Sequence, residues 1–210
     1  NFSWRTFNGQ PVVVKYLYNY LDATSLQPIN PLKKEGRWML NRAANVHLHF
    51  AEAANRDNRR RLAYGILNNG IKTTFDPTPG VSGRDVTNIM HTLYESYPYN
   101  FDAREGEVPR YRADWYRGSG VRGCAKLNET GIVGADSTLS IENSIINENA
   151  LEMAFEGHRW GELVRVALRR NDPAFLADKV YNKLLKAGNP NAAAVRAKLM
   201  NVNNWYLPFK

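Results

Sequence analysis

The stretch Met39-Leu40-Asn41-Arg42-Ala43-Ala44-Asn45-Val46-His47-Leu48-His49-Phe50-Ala51-Glu52-Ala53 decides the fold class. Met39, Ala43, Val46, Phe50 and Ala53 recur at spacings of three and four, which places them on one face of an α-helix. Leu40, Ala44, Leu48 and Ala51 cover an adjoining face, so a helix over 37–56 is expected to lie between neighbours. A narrow polar stripe remains: Arg42, Asn45, His49, Glu52 and Arg56. Asn55-Arg56-Asp57-Asn58 reads as a short turn, followed by a second helix from Arg59 to Asn68 that Asn69-Gly70 stops. Helices joined by so tight a turn form an antiparallel pair, here over about 37–69.

Toward the C-terminus, Ser140 to Arg170 reads as one long helix. Ser140 caps it, Glu142 sits in its first turn and Arg169-Arg170 in its last, all favourable to the helix dipole. Asp172-Pro173 starts another helix, with Asp as cap and Pro at the first helical position. Lys186-Ala187-Gly188 ends it, and Asn189-Pro190 opens a last short helix to about Met200. In the other direction, Val12 to Tyr18 reads as a short strand, and Pro28 and Pro31 break the chain into a loop. Residues 73–83 are a loop and 84–94 a weaker helix, while 96–139 is a long run of Gly, Pro, Arg and aromatics. The expected fold is mainly α: packed helix pairs in a single region over 1–210, with long irregular loops and little strand.

The 210 residues are enough to bury a sizeable core. The net charge of +8 suits acidic partners. Its arginines cluster at 59–61, at 110, 112, 117 and 122, and at 165, 169 and 170. No nucleic-acid motif accompanies them, so they read as solvated helix ends and internal ion-pair partners, with no nucleic acid expected. Cys124 is the sole cysteine, which excludes an intrachain disulfide. No apolar run is long enough to span a membrane. The chain opens on Asn1-Phe2-Ser3-Trp4-Arg5, with neither Met nor a signal peptide, and reads as a mature or truncated chain.

Catalytic patterns are missing. Gly118-Ser119-Gly120 lacks the spacing of a nucleophile elbow, and nothing nominates a base for Cys124. His47 and His49 lie two apart on a helix and point roughly 200° apart, so they do not share a metal. No cofactor is expected: Gly80-Val81-Ser82-Gly83 has no Lys-Ser/Thr after it and is not a phosphate loop. Glu148, Glu152 and Glu156 recur every four residues, and paired carboxylates can hydrolyse glycosides. Like charges at that spacing repel, however, and Arg159 follows on the same predicted face. Arg42, Glu52, Glu152, Glu156, Arg159 and Arg165 are therefore read as a structural ion-pair network between helices.

The best binding candidate is the loop over 96–117. Tyr97, Tyr99, Tyr111, Trp115 and Tyr116 stand there among amides, carboxylates and arginines. Rings of this kind stack under the apolar face of a sugar while polar neighbours bond its hydroxyls. The same composition suits a protein-docking surface, or aromatics that merely tie a long loop down. Trp4, near the N-terminus, is a further candidate on chemistry alone.

Two segments resemble a known family. Leu40 to Ala53 resembles the "LxRxAEvxLxxAEA" helix of the SusD/RagB family, and Glu148 to Arg165 is similar to its "ERxxELxxEGxRWxDLxR" helix. Trp205-Tyr206-Leu207-Pro208 resembles its closing "W-x-LP". Asn149 stands where the family usually has Arg, Asn45 where it has Glu or Asp, and Glu162 where it has Asp. The resemblance implies tetratricopeptide-like helix pairs and the C-terminal portion of a longer protein. It further implies a non-catalytic lipoprotein on the outward face of a Bacteroidetes outer membrane, anchored by lipid outside this stretch. Such a protein delivers glycans, or peptides, to a TonB-dependent transporter. The competing reading is a peptide- or protein-binding helical-repeat module.

Overall fold

A computed structural model describes residues 4–7, 9–13, 22, 24–25, 42–75, 96–99, 122 and 127–206. They are mainly helical, and the chain divides into two compact units, Asn1–Phe155 and Glu156–Lys210.

In the first unit, β1 (Trp4–Phe7) and β2 (Gln10–Val13) form a two-stranded antiparallel ribbon in which Trp4 pairs with Val13 and Phe7 with Gln10. The expected strand at Val12 thus begins two residues earlier, and it has a partner the sequence reading did not supply. Gly9, at φ +76°, makes the tight connection. Residues 14–18 lie outside the described ones.

Helix α1 spans Ala43–Arg56, α2 Arg60–Thr74 and α3 Ser137–Glu152, and the three pack on one another. Their core is Leu48, Ala51 and Ala54 of α1, Leu62, Ile66, Leu67 and Ile71 of α2, and Ile141 and Ile145 of α3. Of the two apolar faces expected of α1, the one through Ala44, Leu48 and Ala51 is the buried one. Ala43, Val46 and Ala53 are exposed, whereas Ala44, Leu48, Ala51 and Asn55 line the interior. Asn45 and Glu52, read as part of a polar stripe, are buried too. Small alanines appear on every side of this helix, so apolar spacing alone does not choose among faces. Gly70 interrupts the helix where the sequence led one to expect, with φ 75°, but a further helical turn follows to Thr74, so that Ile71 and Phe75 reach the core.

The long helix expected over 140–170 is two helices. Asp136, not Ser140, caps α3, its carboxylate accepting from the Leu139 amide at 3.0 Å. After Glu152 the backbone takes positive φ at Phe155 (67°) and Gly157 (81°), and α4 begins afresh at His158 and runs to Arg170. Glu156 and Arg159 therefore do not continue the helical row of Glu148 and Glu152.

In the second unit, α4 packs on α5 (Pro173–Lys186), and α5 on α6 (Ala192–Leu199), which a 3₁₀ turn at Val202–Trp205 follows. Asp172 caps α5 through the Phe175 amide at 3.2 Å, with Pro173 at the first helical position, as expected. Leu163, Ala167, Leu176, Ala177, Leu199 and Trp205 form the core here. The weaker helix expected at 84–94 lies outside the described residues.

Candidate functional site

The polar residues singled out in the sequence converge most clearly between α1 and α3. Arg42 stands at the N-cap of α1 in extended conformation. Its Nη2 donates to Glu152 Oε1 and to the Glu152 carbonyl, each at 2.8 Å. That carbonyl belongs to the last residue of α3, so the guanidinium satisfies a helix-end acceptor and meets the negative end of the dipole. At the opposite end of the pair, Arg56 lies 3.6 Å from Glu142. Asn55 donates to the Thr138 carbonyl at 2.8 Å. Start of α1 to end of α3, and end of α1 to start of α3: the two helices run antiparallel, fastened at both ends.

Glu148, 1% exposed, faces Arg122 Nε at 2.7 Å. Burial raises its pKa, Arg122 opposes that shift, and the charge of Glu152 adds to it. Arg122 also donates to the Asn128 carbonyl at 2.7 Å. It thus ties Asn128 to α3. Farther along, the Thr130 amide and hydroxyl donate to Asn68 Oδ1 on α2, and the Val133 amide donates to Ser140 Oγ. These fastenings were not expected from the sequence. Arg122 sits there in a run of loop arginines, and nothing in that run singles it out.

Of the proposed ring residues, Tyr111, Trp115 and Tyr116 lie outside the described residues, as does the side chain of Trp4. Tyr99 is a core residue, 9% exposed, stacked on Phe50 with centroids 5.9 Å apart and with Arg59 5.8 Å from its ring. Its face is used in packing. Arg59 also donates to Ser96 Oγ at 2.6 Å. With 96 and 99 held to α1 and α2 in this way, Tyr97 projects at 84% exposure, the most accessible large hydrophobic side chain among the described residues.

Glu52 and Glu156 are buried, at 4% and 3% exposure. In the second unit Arg165 pairs with Glu162 of its own helix at 2.6 Å, and Glu162 also acts electrostatically on Arg159. Trp160 Nε1 donates to the Trp205 carbonyl at 3.3 Å, and Trp205 Nε1 to the Leu199 carbonyl at 2.7 Å. A closing indole is thereby fixed under α4 and α6.

Chemically this seam fastens. Its ion pairs set Glu142, Glu148 and Glu152 against Arg56, Arg122 and Arg42. Among the described residues no group of three His, Cys, Asp or Glu converges as metal ligands, and no helix is long and apolar enough to cross a membrane. His47, buried in α1, is pushed down to about 4 by that burial, so it is neutral at physiological pH.

The Arg42–Glu152 contact makes a measurable prediction. A double-mutant cycle on Arg42→Ala and Glu152→Gln, read by urea unfolding, is expected to give a coupling of about 1–3 kcal/mol. Additive effects within a few tenths of a kcal/mol would show that the pair contributes no more than its separate parts.

No protein-family model, curated protein or solved structure matches this chain.

Proposed function

We propose that the chain is the C-terminal part of a non-catalytic, glycan-binding lipoprotein of an outer-membrane uptake system, working with a TonB-dependent transporter. What carries the reading is that the three SusD/RagB-like segments bond to one another through their own signature residues. Arg42 of the first bonds Glu152 of the second, and Trp160 of the second bonds the carbonyl of Trp205 in the third. Residues with purely local roles have no reason to pair across 110 positions of sequence, as Arg42 and Glu152 do. The motif residues are fasteners, so ligand contact falls to the aromatic segment between the helices. There Tyr99 anchors and Tyr97 is presented, with Tyr111, Trp115 and Tyr116 as the remaining candidates.

Isothermal titration of the full-length lipoprotein against a polysaccharide panel tests this. A ring stacked on sugar contributes on the order of 1–3 kcal/mol, so Tyr97→Ala is expected to weaken binding about tenfold or more with little change in melting temperature. Trp115→Ala and Tyr116→Ala extend the scan. No heat with any glycan would sink the reading. Capture of the transporter without any glycan affinity would favour the interaction-module alternative.

A further inference from the structure

In the second unit one hydrogen bond brings two partly exposed rings together. Trp160 is 43% exposed and Tyr206 59%. The Trp160 Nε1 donates to the Trp205 carbonyl at 3.3 Å, and that carbonyl is joined by a single peptide bond to Tyr206. The Tyr206 Cα therefore lies within roughly 6 Å of the indole nitrogen. Trp205 is itself buried, with its own Nε1 held by the Leu199 carbonyl at 2.7 Å, so the acceptor that Trp160 uses is fixed. Only the N–H of Trp160 is spent on this fastening, and much of the ring stays open to solvent. A ring pinned in this way has little rotamer freedom left to lose when it stacks on a ligand.

The polar groups next to these rings are amides. Asn203 and Asn204 are exposed in the 3₁₀ turn that ends at Trp205. Asn204 Nδ2 donates to the Lys198 carbonyl at 2.8 Å. Its Oδ1 and the Asn203 side chain hold no hydrogen bond among the described residues. Residues 199–206 carry no charged side chain, in a chain whose net charge is +8. Rings take the apolar face of a pyranose and amides take its hydroxyls, whereas an anionic ligand calls for cations. A stable protein interface covers roughly 800 Å² per partner, far more than two partly open rings supply, while one or two sugar units match their size.

We propose that Trp160 and Tyr206, with the Asn203 and Asn204 amides, form a second sugar platform, one that takes a neutral polysaccharide. The inference rests on the glycan-uptake reading for the ligand being a polymer, and on the site's own uncharged residues for its neutrality.

The test titrates the full chain with dextran, laminarin, galactomannan and the acidic polygalacturonate, at low and at high salt. At least one of the three neutral polymers is expected to bind, with an affinity that salt leaves unchanged. Tyr206→Ala is expected to bind about tenfold more weakly, and Trp160→Ala at least as weakly. Should Trp160→Ala melt early, Tyr206→Ala combined with Asn203→Ala carries the test, since both positions are exposed. Leu185→Ala, which removes an exposed apolar side chain elsewhere in the same unit, should bind as wild type. The proposal is overturned if Tyr206→Ala binds as wild type, if Leu185→Ala loses as much, or if polygalacturonate alone binds and salt abolishes it. A Tyr206→Ala protein that keeps its polysaccharide affinity but no longer captures a transporter would assign the rings to a protein partner and overturn it too. Tyr97→Ala run in parallel separates the two glycan claims. Loss there with none at Tyr206 overturns this platform and leaves the uptake reading standing, whereas no binding by any polymer overturns both.

Discussion

Replacing Arg122 by alanine is expected to destabilise the protein by roughly 3–5 kcal/mol at neutral pH, because a buried carboxylate loses its cation. Glu148 is almost fully buried, and Arg122 is the group that offsets the burial raising its pKa. Without the guanidinium that pKa rises further. A carboxylate raised in the folded state favours folding at pH below its unfolded value and loses that contribution as pH climbs through the folded value. The cost of Arg122→Ala should therefore be largest at pH 7 and shrink as pH falls toward the ordinary glutamate range, where Glu148 is protonated in both states. His47 works in the opposite direction: its depressed pKa removes stability as pH falls from about 6.5 to about 4. Wild type and variant share His47, so it cancels in the difference. Urea unfolding of both proteins at pH 7 and pH 5 makes the check. A cost that is the same at both pH values would mean that Glu148 is not the group left stranded. Glu148→Gln, which has no charge to strand, should show a smaller loss on addition of Arg122→Ala than the wild type does.

Leu62→Ala is expected to cost about 2–5 kcal/mol, the range for deleting a buried leucine side chain. Leu62 is 0% exposed and sits in the cluster where α1, α2 and α3 meet, among Ala51, Ala54, Ile66 and Ile145. Its alanine neighbours carry only a methyl group, with no rotamer that could swing into the space, so the cavity should persist and place the cost in the upper half of that range. Leu185, 57% exposed on α5, provides the contrast: Leu185→Ala should change stability by well under about 1 kcal/mol. Similar losses at the two positions would contradict the core assigned to the first unit.

Much of this architecture was legible in the sequence, for identifiable reasons. The pair α1–α2 follows from helical spacing and the short turn between them, and both depend only on neighbouring residues. The start of α5 was equally readable, since Asp172 and Pro173 act through the first turn of their own helix. The break after Glu152 was not seen, although Gly157 marks it. Ile146, Met153 and Trp160 recur every seven residues through a stretch where the backbone leaves the helix, and Trp160 is in fact exposed. The buried face of α1 was legible only in part. Ala44, Leu48 and Ala51 are covered as expected, but polar Asn45, Glu52 and Asn55 share the interior with them, which hydrophobicity does not mark.

Sequence by itself determined that the chain is mainly helical, that α1 and α2 pair, and that the carboxylates of α3 need cations. It also placed Tyr97 and Tyr99 in one short segment, but not their different fates: one ring packs on Phe50, the other faces solvent. Only the tertiary structure decided which arginine meets which glutamate. Arg42 reaches Glu152 and Arg122 reaches Glu148, while Arg165 stays with Glu162 on its own helix. The reason is physical. Helix formation is governed by interactions within a few residues, which a sequence displays directly. An ion pair is governed by distance and burial, and those exist only once α1, within the stretch that opened the reading, has packed on α3.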